Sequence, residues 1–302
     1  MSGGGFKSGF IALVGRPNAG KSTLINRLTG HKVAIVSDKP QTTRNSIRGV
    51  YTDENMQAIF IDTPGVHKPK YQLDRRMMNE VENALAGCDL VFYLLDVSQP
   101  FGAGERYILK RLQSVDIPVF LILNKIDLLP KEQLLPLLQD LSGQFPFAEI
   151  VPVSALTGDN SQTLFDLLRR YLPEGPMYYP ADAISDFPEN LLAAEIIREQ
   201  ILLHTSQEVP HSTAVKVNAI EERSEDLLYI EAFVYVERDS QKGILIGKQG
   251  AMLKKIGAAA RQELEKLFAC RVYLDLRVKS RRDWRDNPGM LAGMFLNENE
   301  NY

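Results

Sequence analysis

At 302 residues the chain is too long for one ordinary hydrophobic core and suits one larger and one smaller domain. Its 44% hydrophobic and 24% charged residues are those of a soluble globular protein, and apolar runs such as Leu90 to Leu95 are far shorter than a bilayer span, which excludes a membrane-spanning helix. The formal net charge of −3 hides an asymmetry: residues 182 to 239 carry 13 Asp/Glu against 4 Lys/Arg, whereas residues 242 to 285 carry 12 Lys/Arg against 4 Asp/Glu, which predicts a focused cationic face.

Phe10 to Val14 is an apolar run ending at Gly15-Arg16-Pro17-Asn18-Ala19-Gly20-Lys21-Ser22, with helical character from Ser22 to Thr29: strand, glycine loop, helix. The segment from Lys32 to Tyr51 is polar and reads as a loop holding Gln41-Thr42-Thr43-Arg44. Strands are predicted over Gln57 to Ile61, Leu90 to Asp96, Val119 to Asn124 and Glu149 to Val153, each apolar enough to be covered on both faces. Helical stretches at Asp74 to Ala86, Gly104 to Ser114, Leu134 to Phe145 and Ser161 to Tyr171 alternate with them. The alternation predicts a doubly wound, mostly parallel α/β sheet over residues 1–175, with the ligand at the carboxyl ends of the strands.

Prolines 173, 176 and 180 then break the periodicity, and residues 176–190 read as a linker. A second, smaller α+β domain follows over 191–302. Its predicted order is a helix at Leu191 to Thr205, strands at Ala214 to Glu221 and Leu227 to Val236, a short helix at Gln241 to Ile246, the loop Gly247-Lys248-Gln249-Gly250, a helix at Ala251 to Phe268 and a last strand at Arg271 to Val278, before an Asn/Glu-rich tail. Cys88 and Cys270 lie in or beside apolar strands and are expected as buried, reduced thiols. The four histidines have no metal-ligand spacing. Met1 to Lys7 lacks a signal core, so a cytoplasmic location is expected.

The first domain's motifs name a ligand. A G-x-x-x-x-G-K-[ST] loop cradles phosphates with backbone N–H groups and a helix N-terminus; Lys21 supplies a point charge to the β- and γ-phosphates, and the Ser22 hydroxyl, with Thr23 beside it, faces Mg²⁺. Asp62-Thr63-Pro64-Gly65 ends the second strand, placing Asp62 to hold Mg²⁺ through water and the Gly65 N–H to sense the γ-phosphate. Asn124-Lys125-Ile126-Asp127 selects guanine, because one carboxylate accepts from both N1–H and the exocyclic amine, donors that adenine lacks there. Lys125 can lie over the base, Asn124 can tie this loop to the glycine loop, and Ser154-Ala155-Leu156 can offer a backbone N–H to guanine O6. Either Thr42 or Thr43 closes on the metal, with Thr43 favoured; Lys21, Thr43 and Gly65 are the candidate catalytic groups. Val66, followed by His67, stands where a glutamine would position water, so intrinsic hydrolysis is expected to be slow. Asn18 either holds a monovalent cation such as K⁺ near the phosphates or is a structural turn residue.

In the second domain, a GxxG loop joins two helices among basic residues. Lys242, Gly243, Ile244, Ile246, Gly247, Lys248, Gln249, Gly250, Lys254 and Lys255 form a candidate groove for about four unstacked bases. Arg277, Lys279, Arg281, Arg282 and Arg285, with Trp284 among them, are expected to extend the basic surface. Aromatic residues are sparse near the loop, so single-stranded RNA held by backbone and edge contacts is expected, with a solvated charged face as the alternative.

These motifs, from the Pro-Asn glycine loop through Gln41-Thr42-Thr43-Arg44 to Gly243-Ile244-Leu245-Ile246-Gly247-Lys248-Gln249-Gly250, resemble those of the bacterial Era GTPases over essentially the whole chain. The resemblance implies a P-loop G domain followed by a KH domain of the second type, in a GTP-hydrolysing switch of small ribosomal subunit assembly. It implies binding of the single-stranded 3′ end of small-subunit ribosomal RNA, favoured by GTP, in a protein expected to be monomeric. Peripheral association with the inner membrane is reported for that family. The alternative is therefore a membrane-surface regulatory GTPase whose basic KH face meets anionic lipid. A phosphotransferase using the same loop is disfavoured by the guanine motif.

Overall fold

The computed structural model describes residues 5–295, so the end of the Asn/Glu-rich tail lies outside the described residues. It divides into two compact units, one comprising the chain up to Val36, Thr43–Pro69 and Arg76–Asp186, the other Ser37–Thr42, Lys70–Arg75 and the chain from Phe187.

The chain runs through β1 (Lys7–Gly15), α1 (Lys21–Thr29), β2 (Ile47–Thr52), β3 (Met56–Asp62), α2 (Gln72–Ala86), β4 (Leu90–Asp96), α3 (Ala103–Leu112), β5 (Val119–Asn124), α4 (Lys131–Ser142), β6 (Glu149–Val153) and α5 (Ser161–Tyr171). The strands form one sheet in the order β2-β3-β1-β4-β5-β6. β1 is parallel to both β3 and β4, and β4-β5-β6 continue parallel. Buried Phe60, Phe92 and Phe120 line up at centroid spacings of 6.2 and 5.7 Å. Each such ring contributes roughly 2 to 3 kcal/mol of transfer free energy. With β1 central and the connections diverging on either side of it, the loop after β1 lies at the switch point where α/β sheets open a crevice.

Two features depart from the sequence reading. Residues 47–52, read within a polar loop, form β2, antiparallel to β3. Arg48 and Gly49 obscure the alternation there, and the pairing partner, not the local pattern, makes the strand. Residues 178–186, read as linker, run back over the β2 side of the sheet. Val50 N–H donates to the Ile184 carbonyl (2.8 Å) and Ser185 Oγ to the Arg48 carbonyl (2.6 Å). The buried Gln57 amide grips the Tyr179 carbonyl (2.9 Å) and the N–H groups of Tyr178 and Tyr179 (2.8 and 3.0 Å). An edge strand is thereby covered instead of being offered to other chains.

The second unit contains α6 (Glu189–His204), β7 (Ala214–Ser224), β8 (Leu227–Val236), α7 (Asp239–Ile246), α8 (Ala251–Phe268), β9 (Arg271–Ser280) and α9 (Pro288–Ala292). Its sheet is ordered β7-β8-β9, with β7/β8 antiparallel and β8/β9 parallel. Leu228, Ile230, Ala232, Val234 and Val236 alternate onto the face that buries Ile197, Ile201, Ile256, Ala260 and Leu264 of the helices. In this unit the buried Arg198 pairs with Glu195 and donates to the carbonyls of Gln41 and Thr42. Trp284 corrects another expectation: it is a fully buried core residue, its Nε1–H donating to the Ser212 carbonyl at 2.9 Å, and not part of a basic surface. Both cysteines are free and half-buried, and burial pushes the Cys88 thiol up to about 11. Among the described residues no helix is long and apolar enough to cross a membrane.

Candidate functional site

The glycine loop closes between β1 and α1. Asn18 (φ 64°) and Gly20 (φ 95°) adopt left-handed backbone, a conformation that asparagine tolerates and glycine takes without strain. Gly20 is required twice over, since a Cβ there would lie 2.1 Å from the Asn124 amide nitrogen. Lys21 Nζ reaches back to the carbonyls of Gly15 (3.2 Å) and Arg16 (3.1 Å). Burial pulls its ammonium down to about 8, against the raising influence of Asp62 and Glu105. Thr23 lies half-buried in the first turn of α1.

Three oxygen-bearing side chains meet beside Lys21. Ser22 Oγ donates to Asp62 Oδ2 (2.7 Å), Thr43 Oγ1 donates to the same oxygen (3.2 Å), and the two hydroxyls are 2.9 Å apart. Thr42 instead donates to the Lys39 carbonyl at 2.6 Å, so of the two candidate threonines only Thr43 joins the cluster. A carboxylate and two hydroxyls are a hard-oxygen donor set that fits Mg²⁺. The β3 terminus is anchored by Thr63 Oγ1 donating to the Leu13 carbonyl (2.6 Å), with Pro64 buried after it. Gly65 packs so closely on Pro17 that a side chain would strike the proline backbone at 2.6 Å. Val66 is buried with its N–H on the Gly15 carbonyl (3.0 Å), and His67 Nδ1 lies 2.7 Å from the Gly65 carbonyl.

The Asn124-Lys125-Ile126-Asp127 segment, expected to read the base, lies at the end of β5. Asn124 is buried and spans two loops, donating to the Ala19 carbonyl (2.8 Å) and accepting from Ala155 N–H (2.9 Å). Lys125 is held by an ion pair with Asp96 at 2.6 Å. Burial works against the Asp96 carboxylate, but hydrogen bonds from Lys125 and Ser98 hold it below the usual range. Asp127 is exposed at the loop tip. Ser154 is buried, its Oγ accepting from Thr157 N–H (3.2 Å), while Leu156 is exposed. Because Ala155 N–H is committed to Asn124 here, an O6 contact from this loop needs that bond to be released or the neighbouring Leu156 N–H to serve.

Sequence reading missed three supporting residues. Arg27, at the end of α1, donates Nε to the Ala155 carbonyl (3.3 Å) and also holds that of Leu156. Asp96 fixes Lys125. Glu105, buried at the start of α3, lies 3.8 Å from Arg16 and accepts from Tyr93 Oη; burial raises its pKa. Of these, only Asp96 carried a sequence signal, as the polar terminus of an apolar strand.

The GxxG segment is a tight bend between α7 and α8. Gly247 (φ 70°) sits where a Cβ would meet Met252 at 2.8 Å, Gln249 (φ 53°) and Gly250 (φ 79°) complete the bend, and Gly250 N–H donates to the Gly247 carbonyl at 3.2 Å. Gly243, Ile244, Lys248, Gln249, Lys254 and Lys255 are exposed, with Lys242 and Ile246 half-buried. Arg281 and Arg282 are exposed after β9, whereas Arg285 is tied to Glu237 at 2.7 Å. Arg277 and Lys279 lie elsewhere than expected, on the sheet face turned away from the helices, around Phe233.

A family model described as a 50S ribosome-binding GTPase matches residues 10–125, and a KH domain model matches residues 208–285. A crystal structure of Era in complex with MgGDPNP and nucleotides 1506–1542 of 16S ribosomal RNA is 40% identical, covering 96% of this chain and 100% of that one at a TM-score of 0.92. A variant of Aquifex aeolicus Era bound to GDP and AlF4⁻ is also 40% identical, with the same coverage and a TM-score of 0.91. This chain belongs to the Era family of GTPases.

Proposed function

We propose that this protein is a GTP-hydrolysing switch that binds the single-stranded 3′ end of small-subunit ribosomal RNA through its KH domain and acts in small-subunit assembly. The observation that carries this reading is the convergence of Ser22, Thr43 and Asp62 beside Lys21, in a chain that also presents an exposed, basic GxxG bend. A relative of 40% identity is bound to both a GTP analogue and 16S ribosomal RNA, which supports the same pairing here.

Ser22, Thr43 and Asp62 would hold Mg²⁺, which when bound neutralises charge on the β- and γ-phosphate oxygens. Lys21 adds a point charge, Gly65 offers its N–H to the γ-phosphate, and Asp127 reads guanine. Val66 has no group to orient water, so turnover without a partner is slow. Asn18 is proposed to help hold K⁺ near the phosphates, its left-handed backbone turning the loop at that point.

Asp127→Asn tests the base pocket: GTP affinity falls and xanthosine triphosphate is preferred, because its carbonyl needs a donor. Unchanged preference removes the assignment. Replacing Gly247 and Gly250 by Asp tests the KH reading: RNA binding is lost while GTP affinity stays. Equal RNA affinity, or binding to anionic vesicles that RNA does not displace, overturns it.

A further inference from the structure

The outer face of the second unit's sheet carries a stack that no sequence motif announces. Residues 229, 231, 233 and 235 of β8 and 273, 275, 277 and 279 of β9 are in register on this face, since their neighbours point into the helix-covered core. Arg223, from the end of β7, lies over the Tyr229 ring, its guanidinium carbon 3.8 Å from the centroid. Tyr229 is in turn stacked on Tyr273, with ring centroids 5.9 Å apart and planes at 19°. A guanidinium and two phenol rings thus succeed one another across all three strands, and the series ends at β9, the edge strand. Tyr273 is 60% exposed, an unusual state for an aromatic on a sheet.

The surrounding charges select the occupant. Lys279 lies 3.3 Å from the centroid of the Phe233 ring, and Arg271 is exposed two residues before Tyr273 on the same face. The acids between them are engaged: Asp275 with Arg277 and the Tyr229 hydroxyl, Glu231 with Arg277. Glu221, opposite Tyr229 on β7, is also exposed on this face, so Arg223, Arg271, Arg277 and Lys279 stand against Glu221, Glu231 and Asp275. An open aromatic on a sheet face where cations outnumber acids fits a nucleobase on the ring and phosphates on the exposed cations.

We infer that this face is a second RNA-contacting surface, on which an unpaired base of single-stranded RNA extends the Arg223–Tyr229–Tyr273 stack at the open edge of β9. The inference rests on the RNA-binding reading proposed above. It adds a stacking contact outside the GxxG groove, where the sequence led us to expect backbone and edge contacts alone.

The test uses the full-length protein and the RNA of nucleotides 1506–1542 of 16S ribosomal RNA, with nested truncations down to about four nucleotides, measured by fluorescence anisotropy. Tyr273→Ala is expected to weaken the long RNA about tenfold and to leave the shortest bound fragment unaffected, while Tyr273→Phe restores binding. Photo-crosslinking is expected to join Tyr273 to RNA in the long complex only. Unchanged melting of Tyr273→Ala serves as the fold control. If Tyr273→Ala binds every length like the parent protein while the Gly247/Gly250 double Asp variant does not, the second surface is refuted and the KH reading stands. If neither variant changes RNA affinity, both fall. Equal weakening at all lengths also refutes a separate surface.

Discussion

Asn124→Ala together with Gly20→Ala tests whether one buried amide moors the nucleotide site. Asn124 is 1% exposed, and its side chain joins the Ala19 carbonyl to the Ala155 N–H at 2.8 and 2.9 Å. Truncation removes both bonds and strands a buried donor and acceptor, a loss of about 3 kcal/mol. In a unit of this size that lowers the melting temperature by roughly 6 to 12 °C. Gly20→Ala acts on the same amide from the other side. Its new Cβ would lie 2.1 Å from Asn124 Nδ2, which cannot withdraw without breaking the same bonds, and its φ of 95° adds strain of about 1 to 2 kcal/mol. With Asn124 already removed only the strain remains, so the double variant should be about 3 kcal/mol more stable than the sum of the two losses. Urea unfolding of the nucleotide-free proteins, followed by circular dichroism, measures the cycle. Titration with a fluorescent GDP measures affinity, expected to fall tenfold or more in each single variant. Additivity within about 0.5 kcal/mol would refute the mooring role.

The remaining predictions concern protons, ions and the second unit's core. Lys21 has its value lowered by burial to about 8, from 10.5, so its cationic fraction falls as pH rises through 8. Guanine nucleotide affinity should decline above that pH, and Lys21→Met should remove this dependence. Between about pH 8 and 10.5 the unfolded chain keeps a proton that the folded one has lost, so Lys21's contribution to ligand-free stability rises across that window; a Lys21→Met comparison by urea unfolding reads it. GTP turnover should be faster in K⁺ than in Na⁺, and Asn18→Ala should abolish the difference; parent turnover that ignores the cation ends the K⁺ proposal. Trp284→Ala should destabilise the second unit by about 4 kcal/mol, whereas a surface tryptophan would cost under about 0.5 kcal/mol. Thermal unfolding decides between them.

The order of strands, glycine loop and helices in the first domain was legible because each parallel strand is an unbroken apolar run ending at a polar motif. Backbone-level requirements, such as glycine at 20 and 247, are likewise written in residue type. β2 was not legible, because its partner β3 supplies the pairing that Arg48 and Gly49 obscure. Neither was the choice between Thr42 and Thr43: adjacent identical residues differ only in which way the backbone turns them, and that decides which hydroxyl meets Asp62.

Trp284 shows the same limit from the opposite direction, since a tryptophan among arginines reads as surface until packing buries it against the Ser212 carbonyl. Arg27 and Glu105 act on loops distant in sequence, and the stack on Tyr273 forms only when three strands come into register. Local chemistry, carried by spacing and residue type, was settled by the chain alone. Convergence of side chains from separate elements was settled only by packing, because long-range contacts depend on where the backbone brings residues together and not on which residues adjoin them.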